Sequence, residues 1–174
     1  MFYRQCQNYN NDFNREYICV APVNLYGKYD NFSLEDGHFV PSILHRFHLN
    51  KNNDCVVAYG TGSPLRQLLY AKDAAEVMSY ILFNRNKTQD LDLINITNDN
   101  EDTIKNYIEK IAQVMGIEKE KIYWDSTKSD GCLKKTVSND ILKSILPDYK
   151  FTSLEDGLKE TYNWFVENYD ICRK

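Results

Sequence analysis

A chain of 174 residues is long enough for one domain with its own core, or for a piece of a larger one. Apolar residues at 43% and charged residues at 26% are ordinary globular values and exclude a disordered or collagen-like chain. The net charge of -4, with Lys and Arg scattered among acids, argues against a nucleic-acid partner, and no apolar run approaches the roughly 20 residues that cross a bilayer.

The opening MFYRQCQNYNNDFN has no basic stretch, apolar stretch and small-residue cleavage site in the order of a secretory leader, so a cytoplasmic protein is expected. Cys6, Cys19, Cys55, Cys132 and Cys172 are odd in number, spread out and never in a C-x-x-C pair. That excludes a disulfide framework and a zinc ribbon, and leaves buried free thiols. The sequons at Asn31, Asn86 and Asn95 carry no weight without a secretory route.

In chain order, Phe2, Cys6, Tyr9 and Phe13 fall at helical spacing with no capping residue before them, as in a helix entered in its middle. Glu16 to Val23 is a short apolar run expected as a buried parallel strand. From its carboxyl end, where open α/β sheets place their ligands, leaves the loop NLYGKYDNFSLEDGH. Phe39 to Leu49 is helical, Asn50 to Asp54 a polar turn and CVVAY a strand. After the turn GTGSP, RQLLY is extended, and Asp73 is placed to cap a helix with Ala74, Val77, Met78, Ile81 and Leu82 on one face.

Leu91 to Thr97 alternates as a strand, and a helix follows with Ile104, Tyr107, Ile108, Ile111 and Met115 inside and Gly116 as its stop. Lys121 to Trp124 is a short strand, and a helix from about Asn139 to Leu146 ends before Pro147. The last helix opens with the capping box Thr152-Ser-Leu-Glu155 and buries Leu154, Leu158, Tyr162, Phe165 and Tyr169. Strands and helices alternate throughout, so the class is α/β.

Among candidate motifs, His38, His45 and His48 invite a metal, but no third ligand or acidic second partner stands at suitable spacing, so none is expected. GTGSP lacks both the phosphate-loop and the dinucleotide patterns and reads as a plain turn. Arg66 just beyond it is of the type that pairs with phosphate, although an ion pair is the commoner outcome. TKSDG reads as a turn in which Asp130 could accept hydrogen bonds from a sugar. Asp36-Gly37-His38 precedes a helix, where free N–H groups favour anions and a His can move protons near neutral pH.

Taken in order, PVNLYG, DNF, EDGH, a helix beginning with an aliphatic-Pro pair and ending in a basic residue, YGTG with P-x-RQ, and TKSDG resemble the GDP-L-fucose synthase family. That family belongs to the extended short-chain dehydrogenases/reductases. The resemblance runs through ETYNWFVENY and corresponds to the family's C-terminal half. It implies the end of a Rossmann sheet plus the smaller substrate lobe, with residues 1–37 as the remnant of the dinucleotide-binding domain. Residues 38–174 would then be mostly substrate lobe, with some segments returning to the Rossmann part.

The implied chemistry is NADPH-dependent epimerisation of GDP-4-keto-6-deoxy-D-mannose at C3 and C5, then reduction at C4. By position the resemblance makes Pro22, Val23, Asn24 and Leu25 the nicotinamide side of an NADP site, and His38 an acid-base residue and cofactor neighbour. Arg46 stands where the family usually has a substrate-binding Lys, and Tyr59 where it often has a Trp over the guanine. Arg66 is at the diphosphate-binding Arg and Asp130 at a substrate-contacting Asp. Lys28 replaces a usual Pro and is expected to loosen the loop.

The family's Gly-rich fingerprint, Ser, Tyr-x-x-x-Lys pair and epimerisation Cys lie in the N-terminal half, and this sequence begins just after them. The NADP site is thus expected to be incomplete and the chain inactive alone, with a complementary N-terminal half and a homodimer as implied partners. The alternatives are a non-catalytic nucleotide-sugar-binding module or gene remnant, and a fragment of a different nucleotide-sugar epimerase or dehydratase.

Overall fold

A computed structural model describes residues 2–88 and 91–174. The first half contains α1 (Phe2–Phe13), β1 (Cys19–Pro22), β2 (Asn24–Tyr26), α2 (Phe39–Asn50), β3 (Val56–Tyr59), β4 (Leu65–Tyr70) and α3 (Ala71–Phe83). There follow β5 (Leu93–Ile96), β6 (Glu101–Thr103), α4 (Ile104–Val114), β7 (Ile122–Asp125), β8 (Lys134–Lys135), α5 (Asp140–Ile145) and α6 (Leu154–Glu167). The α/β class and the expected helices are present, and the strands pair in three groups. β1 runs parallel to β5, β3 parallel to β7, and β4 carries β2 and β8 in parallel and β6 antiparallel.

The run Glu16 to Val23 is not one buried strand. β1 is half-buried and its Pro22 exposed, because β5 alone pairs with it among the described residues and α1 buries no residue. At Val23, whose N–H donates to Ile96 O at 3.2 Å, the chain leaves β5. It then enters β2, where Asn24 registers against Leu68 of β4. The loop expected to begin at Asn24 therefore begins after Tyr26.

Two apolar cores result. One gathers α2, α4, α6 and β3 around Phe32, Leu44, Phe47, Ile108, Ile111, Leu158 and Phe165. The other gathers α3, α5 and β5 around Leu69, Ala74, Val77, Ile81, Ile94, Ile96 and Leu142, with Val20 and Val23 against it. β4 divides its side chains by period-2 alternation, Leu68 and Tyr70 to the first core and Leu69 to the second.

Two expected caps resolve differently. Tyr70, not Asp73, precedes α3, and the buried Asp73 instead accepts from Thr152 N at 2.8 Å and Thr152 Oγ1 at 2.7 Å. With Thr152 so engaged, Ser153 caps α6 and accepts from Asp156 N at 3.1 Å, one residue later than expected. Leu82, expected inside, is 66% exposed because the buried stripe of α3 ends at Ile81. No helix among the described residues is long and apolar enough to cross a membrane.

Candidate functional site

The loop from Gly27 to His38 is folded largely by its own polar groups. Asn31 Oδ1 accepts from Ser33 N at 3.1 Å, and Asn31 Nδ2 donates to Asp36 Oδ1 at 3.2 Å. Ser33 Oγ accepts from Glu35 N and Asp36 N, and hydrogen bonding from the Ser33 and Asn31 side chains holds the Asp36 carboxyl below its usual range. Gly37 is forced by space: a Cβ there would lie 2.2 Å from Ser33 O and 2.7 Å from Asn31 O. Phe32 is fully buried and stacks on Phe165 with ring centroids 4.5 Å apart. Its N–H donates to Arg173 O, and its C=O accepts from His45 Nδ1 at 2.8 Å. Lys28 does not hang free but pairs with Glu160 at 3.5 Å.

His38 emerges from this scaffold at the head of α2, with its side chain 78% exposed. Its Nδ1 lies 3.4 Å from Asp30 Oδ1, a neighbour the sequence reading did not single out. Nδ1–H directed at a carboxylate leaves Nε2 as the proton acceptor of a neutral ring, the arrangement a general base needs. The other two histidines are structural. His45 is buried between Phe32 O and the Tyr169 hydroxyl. His48 Nδ1 lies 3.2 Å from the Tyr162 hydroxyl, and burial lowers its pKa, helped by Lys51 and His45. Among the described residues no cluster of three His, Cys, Asp or Glu side chains is placed to hold a metal.

Two grooves meet beside His38. One, of about 360 Å³, is lined by Pro22, Val23, Asn24, Leu25, His38, Phe39, Val40 and Leu68. It brings together all five residues expected on the cofactor side, and its mostly apolar walls suit a flat ring better than a phosphate. The second, of about 290 Å³, contains Arg46, Tyr59, Arg66 and Asp130, the four expected substrate residues, with Ser42, Ile104, Ile108 and Ser129. Asn24 and Phe39 line both. A larger surface groove beside α4, lined by Asn106 to Lys119, touches none of these residues.

Arg46 enters the second cleft from the C-terminal half of α2, and its Cζ lies 3.9 Å over the Tyr59 ring centroid. Its Nη1 is buried and has no hydrogen-bond partner among the described residues. A buried charged donor without an acceptor costs roughly 1–3 kcal/mol or more, so this atom is open to an acceptor brought by a ligand. Arg66 Nη1 donates to Leu65 O at 2.8 Å, and neither arginine has an ion-pair partner among the described residues.

Asp130 is more constrained than expected. Its Oδ1 accepts from Thr61 N and its Oδ2 from Thr61 Oγ1, both at 2.7 Å, which holds the carboxyl below its usual range. The turn GTGSP is thereby pinned to the loop TKSDG, and Gly60 and Gly62 adopt φ of 81° and 75°. A Cβ at Gly60 would lie 2.3 Å from Asp130 Oδ1, so glycine is required for the clamp. Asp30 and Phe39 were missed by sequence reasoning. For Asp30 the available signal was an acid eight residues before a candidate His within one loop.

This α/β frame is that of the NAD dependent epimerase/dehydratase family, to which the chain belongs. The sequence profile of that family matches residues 1–97. The particular relatives are GDP-L-fucose synthases. The chain is 37% identical over 167 residues to that of Dictyostelium discoideum and 35% identical over 176 residues to that of Escherichia coli (strain K12). The matches cover 95% and 97% of this chain but 52% and 54% of the relatives. The chain thus spans about half the length of the curated relatives it matches. A crystal structure of a GDP-L-fucose synthetase from Naegleria fowleri bound to NADP superposes on all of this chain and 52% of its own, with a TM-score of 0.88 and 32% identity. The resemblance drawn from PVNLYG, DNF, EDGH and TKSDG is borne out.

Proposed function

We propose that this chain is the substrate-side half of a GDP-L-fucose synthase-like enzyme, which turns GDP-4-keto-6-deoxy-D-mannose into GDP-L-fucose once a complementary N-terminal half supplies the remaining wall. The observation that carries this reading is the meeting of the two grooves at Asn24 and Phe39, with the unpaired Arg46 Nη1 in one and His38 in the other.

Arg46 and Arg66 bind the diphosphate of the nucleotide sugar, Tyr59 flanks it, and Asp130 contacts it or holds the wall that does. His38, oriented by Asp30, accepts and returns the proton moved in epimerisation. Pro22, Val23, Asn24, Leu25 and His38 would hold the nicotinamide end of NADP, which supplies a hydride when bound. The apolar wall of Val23, Leu25 and Val40 keeps water from that ring.

The domain division follows the same logic. Residues 1–37 belong to the dinucleotide-binding part. Residues 38–174 are mostly substrate lobe, but α3, β5 and α5 return to pack with β1. The five free cysteines suit a reducing, cytoplasmic setting, and the family arrangement makes the assembled enzyme a homodimer. Calorimetry with GDP-mannose tests the reading: binding heat is expected, and none at millimolar ligand would overturn it.

A further inference from the structure

Tyr59 is half-exposed at the end of β3, and two cations share its ring. The Arg46 guanidinium carbon lies 3.9 Å from the centroid and Lys128 Nζ lies 5.9 Å from it. A centroid distance of 3.9 Å is van der Waals stacking, so a base and this guanidinium compete for one face of the ring. Lys128 comes from the loop that Asp130 fastens to Thr61, so its backbone is held while its side chain is exposed. It makes no ion pair among the described residues, and its charge is felt by the half-buried Asp125 only as a minor influence on that carboxyl.

Gathering two unpaired cations on one ring is electrostatically unfavourable unless something negative comes between them. The ring quadrupole offsets part of that repulsion, and the unsatisfied Arg46 Nη1 shows where an acceptor belongs. A monoanion satisfies one cation at a time, whereas two linked phosphates reach both.

Resting on the site reading above, we infer that Tyr59 is a positioning residue that gathers Arg46 and Lys128 into a receptor for a diphosphate, rather than a stacking platform for the base. Lys128 is then a further anion-binding residue of the cleft. The aromatic face works through the guanidinium it holds, so its effect on binding does not depend on what is attached to the phosphates.

The test compares GDP with inorganic diphosphate by calorimetry on the whole chain and on Tyr59→Phe, Tyr59→Leu and Lys128→Met. Tyr59→Leu is expected to weaken both ligands by the same factor, about fivefold, while Tyr59→Phe keeps the ring and leaves both near the parent values. Lys128→Met, at an exposed side chain, weakens both by roughly three- to tenfold and flattens the salt dependence. Loss of GDP affinity alone in Tyr59→Leu would make the ring a base platform and overturn the inference while leaving the site reading intact. Unchanged binding in Tyr59→Leu or Lys128→Met would also overturn it. If the parent chain binds neither GDP nor diphosphate, the site reading itself falls.

Discussion

Gly37→Ala is the sharpest test of the idea that the loop before α2 exists to present His38. The added Cβ would stand 2.2 Å from Ser33 O, against about 3.4 Å for ordinary contact, so that oxygen must retreat by about 1 Å. Both clashing atoms are backbone oxygens and cannot rotate away. Retreat breaks the Gly37 N–H to Ser33 O bond and shifts Asp36 from Asn31 Nδ2. Two or three hydrogen bonds at roughly 1 kcal/mol each, partly replaced by water in this exposed loop, give a loss of about 2 kcal/mol. With a urea slope near 2 kcal/mol/M, the unfolding midpoint falls by about 1 M, followed by far-UV circular dichroism. The GDP-mannose affinity also drops, because Phe39 lines both grooves. Gly116→Ala is the control: nothing lies within 4 Å of its Cβ, and its φ of 73° costs only about 1 kcal/mol. A Gly37→Ala chain with an unmoved midpoint and parental affinity would refute the reasoning.

Asp73→Ala strips the acceptor from Thr152 N–H and Oγ1 in a buried site, and a loss of about 3 kcal/mol is expected in the same denaturation assay. In the cycle with Thr152→Val, the double mutant should lose clearly less than the sum of the singles. His48 carries a pKa lowered by burial, so the unfolded chain holds the extra proton: its contribution is present above pH 6.5 and is lost as pH falls through the folded value. The drop in urea midpoint between pH 7.5 and 5 should therefore shrink in His48→Gln. Phe2, Tyr9 and Phe13 are exposed on α1, and β1 has one strand partner among the described residues, so the chain should self-associate with rising concentration. Light scattering should show less association for Phe13→Glu, and equal association in both would sink the idea.

Most of the fold was legible because its signals are local. The stripe Tyr107, Ile108 and Ile111 is buried where 3.6-residue spacing puts it, and Gly116 ends that helix region at φ of 73°. What was illegible depends on distant partners. An apolar run from Glu16 to Val23 does not say that its two ends pair with different strands. Asp73 looks like a helix cap until Thr152, 79 residues away, claims it. β6 reads Glu-Asp-Thr, with no apolar alternation, and forms only because β4 offers an edge. At the site, Arg46, Tyr59, Arg66 and Asp130 were nameable from motif order. That Asp130 spends both oxygens on Thr61 was not, since a turn acid looks the same whether it binds the chain or a ligand.

The loop's polar density has two origins that sequence alone merges. Asn31, Ser33 and Asp36 are consumed by one another, and Phe32 is a core anchor tied by backbone to Arg173 and His45. Asp30 Oδ1 accepts from Asn31 N at 2.7 Å and faces His38, which stands where α2 starts. The grooves on either side exist because of a single peptide step at Val23, where the chain passes from the strand beside β5 to the strand beside β4. Asn24, the first residue after that step, lies against Leu68, two residues along β4 from Arg66. In a strand such residues share a face, so the walls of both grooves are set by one register. A one-residue slip of β2 would move Asn24 out of both grooves at once, which makes that register, more than any single side chain, the feature on which the site depends.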